Sequence, residues 1–319
     1  MNDIFKVIVA IDFEYEITAG RLPVVLCLVV YVLDQSLRHV RTIRLWRDEF
    51  GSKPPFDIGP DALIVAYSAW AEMTCFLQLG WPFPEHVLDL HTAYLATSNV
   101  LEPYDYDETK RKKLSKNLPA ACRAYGITGW ERFDKTAIAK DIADGNWGKW
   151  GREGVFEYCE EDVRKSFELL RAQLRGAHRL EPIDVPRVLH WSNYSAKATA
   201  RVQARGMPID MHLWNLVQEN KEAVVAELIR RFDPSYGTPF PIYTPDGEWA
   251  YHRFERWLVF AGVRAWPRLN SGRLDTSADA FRLMYNVVPG LEGLHALRDS
   301  LGFIVKARLP IGPDARTRP

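Results

Sequence analysis

The chain has 319 residues, with 41 basic and 41 acidic side chains and a formal net charge of zero. This balance argues against a protein that holds nucleic acid through bulk charge attraction alone. The 47% hydrophobic composition is enough for two packed domains, and no apolar run reaches the ~18 residues of a membrane-spanning helix.

The first residues lack the charged-then-apolar order of a secretory signal, so we expect a cytoplasmic protein with no membrane partner. The cysteines lack the spacing of a zinc site or a disulfide scaffold. They are predicted to be buried free thiols: Cys27, Cys75, Cys122 and Cys159.

Strands and helices are predicted to alternate in the first half of the chain. Runs rich in β-branched and aromatic residues, bounded by turn residues, predict five strands: 5–15, 23–33, 38–46, 62–66 and 86–90. Helices are predicted at 70–79, near Ala120 and near Thr136. Apolar residues spaced three or four apart, among them Phe156, Cys159 and Val163, predict a longer helix at 154–175. The proline-containing segment 180–186 is a candidate linker, and a mainly helical region follows it.

Two acids stand at the end of the first predicted strand. Asp12 and Glu14 follow the apolar run 7–11, and side chains two residues apart point to the same face of a strand. Like charges side by side in a buried strand are costly, and a bound cation would compensate them. A strand end that simply reaches solvent remains the alternative.

Two later acids are placed on predicted helices. Glu72 lies in the first turn of the predicted helix after the strand 62–66, where a solvated glutamate is the ordinary alternative. Tyr158 and Asp162 are four residues apart and share one face of the helix 154–175. A phenol beside a carboxylate suits a metal ligand next to a group that orients water, although most such pairs are structural.

In this order, the motifs Asp12-Phe13-Glu14, Tyr67 to Glu72 and Tyr158 to Asp162 resemble a known family. They are similar to the three motifs of the RNase H-like DEDD 3′–5′ exonucleases, in the tyrosine-containing subgroup that includes the proofreading domain of family A DNA polymerases. The resemblance implies an α/β fold over residues 1–180, with a mixed sheet flanked by helices.

The resemblance also implies a chemistry. Two Mg²⁺ or Mn²⁺ ions would be held by four carboxylates, and Tyr158 would position the attacking water. Phe13 and Ser68 would contact the substrate, and the product would be a nucleoside 5′-monophosphate released from a DNA 3′ end. The implied metal ligands are Asp12, Glu14, Glu72 and Asp162.

The middle motif departs from the family pattern. Family members carry His-Asn-Ala-x-Phe before the acid, whereas this chain has Tyr67, Ser68 and Ala71 at the His, Asn and Phe places. A catalytically silent DNA-binding or assembly module derived from a polymerase is therefore the alternative function. An RNA-trimming exonuclease of the same group is a third.

Residues 187–319 carry a second resemblance, to the thumb region of family A DNA polymerases. It rests on three segments: 200–210, 269–277 and 291–299. In that family this region grips the duplex behind the primer terminus, so the implied partners are a single-stranded DNA 3′ end or a primer-template, with replication proteins as further candidates. No string like the palm motif Asp-Tyr-Ser-x-Ile-Glu follows, and we expect no polymerase activity in this chain.

Two further features have competing interpretations. Asp89, at the end of the fifth predicted strand, is either a helix cap or a substitute metal ligand. The basic run from Lys110 to Lys116, with Tyr104 and Tyr106 before it, either contacts a single strand or is simply solvated.

Overall fold

The computed structural model describes residues 4–98, 116–129, 135–177, 180–244, 246–306 and 308–318. They pack as two compact units. The first contains the described residues up to Pro208 and from Pro310 onward, and the second contains Ile209–Leu309. Tyr104, Tyr106 and the lysines and arginine at 110–113 lie outside the described residues.

A mixed five-stranded sheet forms the centre of the first unit. Its strands are β1 (Val7–Glu16), β2 (Val24–Asp34), β3 (His39–Trp46), β4 (Ala62–Ala66) and β5 (His86–Asp89). The order is β3-β2-β1-β4-β5. The β1–β2 and β2–β3 pairs are antiparallel, while β1–β4 and β4–β5 are parallel. All five predicted strands are confirmed within two residues at each end.

Helices cover both faces of this sheet. They are α1 (Trp70–Gln78), α2 (Leu90–Ser98), α3 (Leu118–Ala124), α4 (Lys135–Ala143), α5 (Gly151–Arg175) and α6 (Val185–Arg205), with a 3₁₀ turn at Trp147–Lys149. The α/β class is thus confirmed for this unit.

The alternation of side chains along β1 divides the core into two layers. Ala10 packs with Val155, Cys159 and Val163 of α5, whereas Ile11 and its neighbours on the opposite face pack with α1 and α6. All four cysteines are buried and free, as predicted.

The predicted linker is wrong at its C-terminal end. Asp184 caps α6 by accepting a hydrogen bond from the Arg187 amide, and Pro186 lies in the first turn of the helix. Proline fits there because the first-turn amides need no helical partner. Since α6 packs against α1 and β5, the compact units divide after Pro208, and the predicted domain boundary between 180 and 187 is corrected accordingly.

The end of the described chain returns to the first unit. Two-residue strands β6 (Met207–Pro208) and β7 (Arg316–Thr317) pair antiparallel. Residues 310–318 therefore belong with the sheet domain, whereas the sequence assigned them to the helical one.

The second unit is helical, as predicted. Its helices are α7 (Met211–Glu219), α8 (Lys221–Phe232), α9 (Tyr251–Phe260), α10 (Ala278–Met284) and α11 (Leu291–Lys306). They enclose a core centred on Phe254 and Phe281. No helix in the described residues is long and apolar enough to cross a membrane.

Candidate active site

Strand β1 extends beyond its parallel neighbour and carries two acids in the extension. The β1–β4 register covers Val7–Ala10 only, so residues 11–16 have no β4 partner along that edge. Asp12 and Glu14 lie in this stretch, half-buried, on the face covered by α5. The structure thus gives both acids the shared face that the alternation predicted.

Glu72 reaches the same edge from the first turn of α1. Its side chain is 3% exposed, and its carboxylate accepts a hydrogen bond from the Phe13 backbone amide. Phe13 lies in the stretch of β1 that β4 leaves open, which makes this amide available. Among the described atoms, Glu72 Oε2 is buried without a hydrogen-bond partner. A buried carboxylate oxygen in that state is costly unless a cation or proton satisfies it.

Helix α5 places Tyr158 next to Asp162. The phenol hydroxyl donates to the Asp162 carboxylate across one helical turn. Burial raises the pKa of Tyr158, and the negative charge of Asp162 adds to the effect. Tyr158 is therefore a neutral hydrogen-bond donor.

The acids share one electrostatic environment. Burial raises the pKa of Glu14 well above its ordinary value, and the charges of Asp12, Asp162 and Glu72 raise it further. The pKa of Glu72 is raised in the same way, first by burial and then by Asp12. The neighbouring carboxylates thus make ionisation of Glu14 and Glu72 harder, and bound divalent cations would relieve this repulsion.

A cleft of about 310 Å³ opens over three of these acids. Asp12, Glu14 and Glu72 line it, and Phe13 and Ser68 are also in its wall. Tyr158 and Asp162 are not among its lining residues. The structure therefore brings three predicted ligands to one cavity and couples Asp162 to them through charge.

Cys159 is a neighbour of the acids that sequence reasoning missed. Its Sγ lies within 4.8 Å of ligand oxygens of Asp12 and Glu14, and its thiol donates to the Asp12 backbone carbonyl at 3.2 Å. Burial raises the pKa of this thiol. A neutral thiol is a poor ligand for Mg²⁺, which prefers oxygen. In the sequence, Cys159 gave only the signal of a buried stripe residue.

Ser68 occupies a strained turn between β4 and α1. Its φ of 60° lies in the left-handed region, where Asn is far more common than Ser. The Ser68 amide donates to Asp89 Oδ1 at 2.9 Å. The neighbouring Tyr67 hydroxyl donates to the Lys116 carbonyl at 2.5 Å.

Asp89 is a cap, as one of the two interpretations predicted. Besides the Ser68 amide, it accepts hydrogen bonds from the His91 amide and the Thr92 hydroxyl, each at 3.0 Å. These three donors satisfy both carboxylate oxygens and hold the start of α2 against the Ser68 turn.

Comparisons with known proteins add a likeness to solved structures. The chain matches no protein-family model and no curated protein. Among solved structures it is similar to the polymerase domain of Pol1 from M. smegmatis in complex with a DNA primer-template and dNTP. The TM-score is 0.47 and the identity 11%, over 99% of this chain and 49% of that one. The chain thus spans about half the length of that polymerase chain.

Proposed function

We propose that the first unit is a metal-dependent 3′–5′ exonuclease that hydrolyses phosphodiester bonds at DNA 3′ ends and releases nucleoside 5′-monophosphates. One observation carries the proposal: Asp12, Glu14 and Glu72 line a single cleft, and Glu72 Oε2 is buried there without a partner among the described atoms. The choice of DNA rests on the resemblance of the three acidic motifs.

The donor set fits hard divalent cations. Asp12, Glu14, Glu72 and Asp162 offer only carboxylate oxygens, the ligand type that Mg²⁺ and Mn²⁺ prefer. We expect two ions, as the motif resemblance implies. When bound, the ions would lower the pKa of water and stabilise charge on the phosphate oxygens.

The chain's own groups would position the reactants. The Phe13 amide holds the Glu72 carboxylate in place, and Tyr158 holds Asp162 through its hydroxyl hydrogen bond. Because the phenol stays protonated, it can also orient the attacking water by hydrogen bonding. Ser68, in the cleft wall, would contact the terminal nucleotide. The Phe13 side chain, expected from the resemblance to do the same, is instead buried in the core against Phe76 and Trp81, so we assign it no substrate contact.

We infer an RNase H-like fold for the first unit. The strand order β3-β2-β1-β4-β5, with β1 antiparallel to β2 and parallel to β4, supports this assignment. The helical second unit would serve as the thumb-like part that contacts duplex DNA, on the strength of its sequence resemblance.

The test is shortening of a 5′-labelled single-stranded oligonucleotide in Mg²⁺. Wild type should produce a ladder of products one nucleotide apart, and Asp12→Ala and Asp162→Ala should each abolish it. Glu157→Ala is the matched control, because Glu157 is an exposed acid on the same helix as Asp162. Equal degradation by wild type and both aspartate variants would reject the assignment.

A catalytically silent DNA-binding module is the second candidate. It is favoured by the absence of Tyr158 and Asp162 from the lining of the cleft and by the small side chain of Ala71 at the family's aromatic place. This candidate predicts binding of a primer-template without shortening in either Mg²⁺ or Mn²⁺. Release of mononucleotides by wild type would eliminate it.

A further inference from the structure

The acid cleft adjoins a second, smaller recess. The recess has a volume of about 90 Å³, room for several water-sized groups. Four residues line both cavities: Tyr15, Ile17, Trp70 and Ala71. The two cavities are therefore neighbours that share part of their walls.

The two cavities carry opposite charge. Among the described residues, the wall of the cleft has three carboxylates and no Lys or Arg, whereas the recess has Arg21 and Arg318 and no Asp or Glu. Arg318 forms an ion pair with Asp314, so its charge is largely compensated. Arg21 is exposed and supplies the remaining positive charge.

The turn that carries Arg21 is firmly held. The Arg21 amide donates to the Thr18 carbonyl at 2.9 Å, and Arg318 donates to the Gly20 carbonyl at 2.7 Å. Gly20 has a φ of 74°, and a Cβ there would lie 2.4 Å from the Gly312 nitrogen. Only glycine allows this approach, so the backbone of the turn that carries Arg21 is held in place.

Trp70 provides an aromatic surface between the two cavities. It is half-buried at the start of α1, and within the described part of the chain no other aromatic ring packs on it. An indole and a cation in one cavity wall are a combination that proteins use to bind single-stranded nucleic acid, with a base on the ring and a phosphate on the charge.

We propose that Trp70 and Arg21 form a subsite for the nucleotide on the 5′ side of the scissile phosphate. Its base stacks on Trp70, and its own 5′-phosphate lies against Arg21. The subsite rests on the proposed function and extends it to the nucleotide that precedes the released one.

Binding is measured by fluorescence anisotropy of a 5′-labelled single-stranded DNA, with Ca²⁺ in place of Mg²⁺. Trp70→Ala and Arg21→Gln should each weaken binding by about tenfold, within the range for one stacked base. Arg21→Gln should also reduce the salt dependence of log Kd by about 0.7, the value for one lost phosphate contact on a single strand. Trp70→Ala should leave that slope unchanged.

Four variants serve as controls. Trp70→Phe and Arg21→Lys retain the ring and the charge and should recover most of the affinity, which separates lost contacts from lost folding. Trp191→Ala and Arg175→Gln, at an exposed tryptophan of α6 and an exposed arginine at the end of α5, should bind like wild type.

The outcomes separate the subsite from the nuclease. Equal binding by wild type, Trp70→Ala and Arg21→Gln overturns the subsite, whether or not wild type shortens DNA in Mg²⁺. Weakened binding by these variants supports the subsite. If wild type then fails to shorten DNA, only the proposed nuclease activity is rejected. If wild type neither binds nor shortens the strand, both proposals fail.

Discussion

Glu72 and Asp89 are both buried acids near the carboxyl ends of parallel strands, but their carboxylates accept different numbers of hydrogen bonds. Glu72 lies in the helix that follows β4, and Asp89 is the last residue of β5. Their exposures are 3% and 5%. Asp89 accepts hydrogen bonds from three donors. Glu72 accepts one from the Phe13 amide, and its Oε2 has no partner among the described atoms.

The difference shows how a structural carboxylate can be told from a candidate ligand. The two side chains are buried to a similar extent, so the number of hydrogen-bond donors around each carboxylate distinguishes the two roles. Both oxygens of Asp89 accept hydrogen bonds within the protein. Glu72 shares a cleft with Asp12 and Glu14, where repulsion adds to the cost of its charge.

The largest expected effect is on activity. Glu72→Gln removes the charge of a proposed metal ligand and should reduce the proposed exonuclease turnover by about 10³-fold, equivalent to roughly 4 kcal/mol of transition-state stabilisation. Asp89→Asn keeps a carbonyl acceptor and should retain activity within about tenfold of wild type. Single-turnover rates in Mg²⁺ measure both. A similar loss in the two variants would erase the functional contrast.

The effects on folding stability should be larger at Asp89 than at Glu72. Asp89→Ala leaves the Ser68 and His91 amides without their acceptor and should reduce the free energy of unfolding by about 2–4 kcal/mol. Glu72→Gln removes a buried charge and should leave the metal-free protein as stable as wild type or more so. Urea unfolding in EDTA gives both values, and a larger loss in Glu72→Gln than in Asp89→Ala would contradict the assignment of roles.

The pH dependence of folding stability should differ between the metal-free and the metal-bound protein. The folded protein holds protons on Glu14 and Glu72 more tightly than the unfolded chain, because both pKa values are raised above 4.5. The stabilisation this gives is complete below pH 4.5 and is lost as pH rises through the raised values. Divalent cations favour the ionised forms. The gain in melting temperature on adding Mn²⁺ should therefore be larger at pH 8 than at pH 5.5.

Glu72→Gln tests this pH effect directly. It should reduce both the loss of stability with pH in EDTA and the gain from Mn²⁺. The same Mn²⁺ gain at both pH values in wild type would show that the ion does not bind these carboxylates.

The smallest effect is expected at Ser68, whose backbone links the two acids. Ser68→Val places a β-branched residue at φ 60° and should cost about 1–2 kcal/mol. Ser68→Asn, which tolerates this conformation, should cost less than 0.5 kcal/mol, roughly the scatter of neutral substitutions. Thermal unfolding compares them, and equal costs would argue against backbone strain at this turn.

Much of the fold follows from local sequence patterns. The apolar runs predicted every strand of the sheet, and the spacing of Phe156, Cys159 and Val163 predicted α5. The start of α6 was missed because Pro186 was interpreted as part of a linker. Proline is equally compatible with a helix's first turn, and only the Asp184 cap and the packing of α6 on β5 decide between these roles.

The candidate site was predictable in part. Alternation along β1 placed Asp12 and Glu14 on one face. The hydrogen bond from the Phe13 amide to Glu72 forms because β1 extends past β4. The register between these two strands is set by tertiary structure and not by a local sequence pattern. The position of Cys159 beside the acids depends on how α5 lies across the sheet, and no local pattern specifies it.

Anomalous diffraction from crystals soaked in Mn²⁺ tests the central claim most directly. We expect two Mn²⁺ ions bound by the carboxylates of Asp12, Glu14, Glu72 and Asp162, and none at Asp89. An empty acid cleft at millimolar Mn²⁺, or an ion on Asp89 instead, would contradict the account.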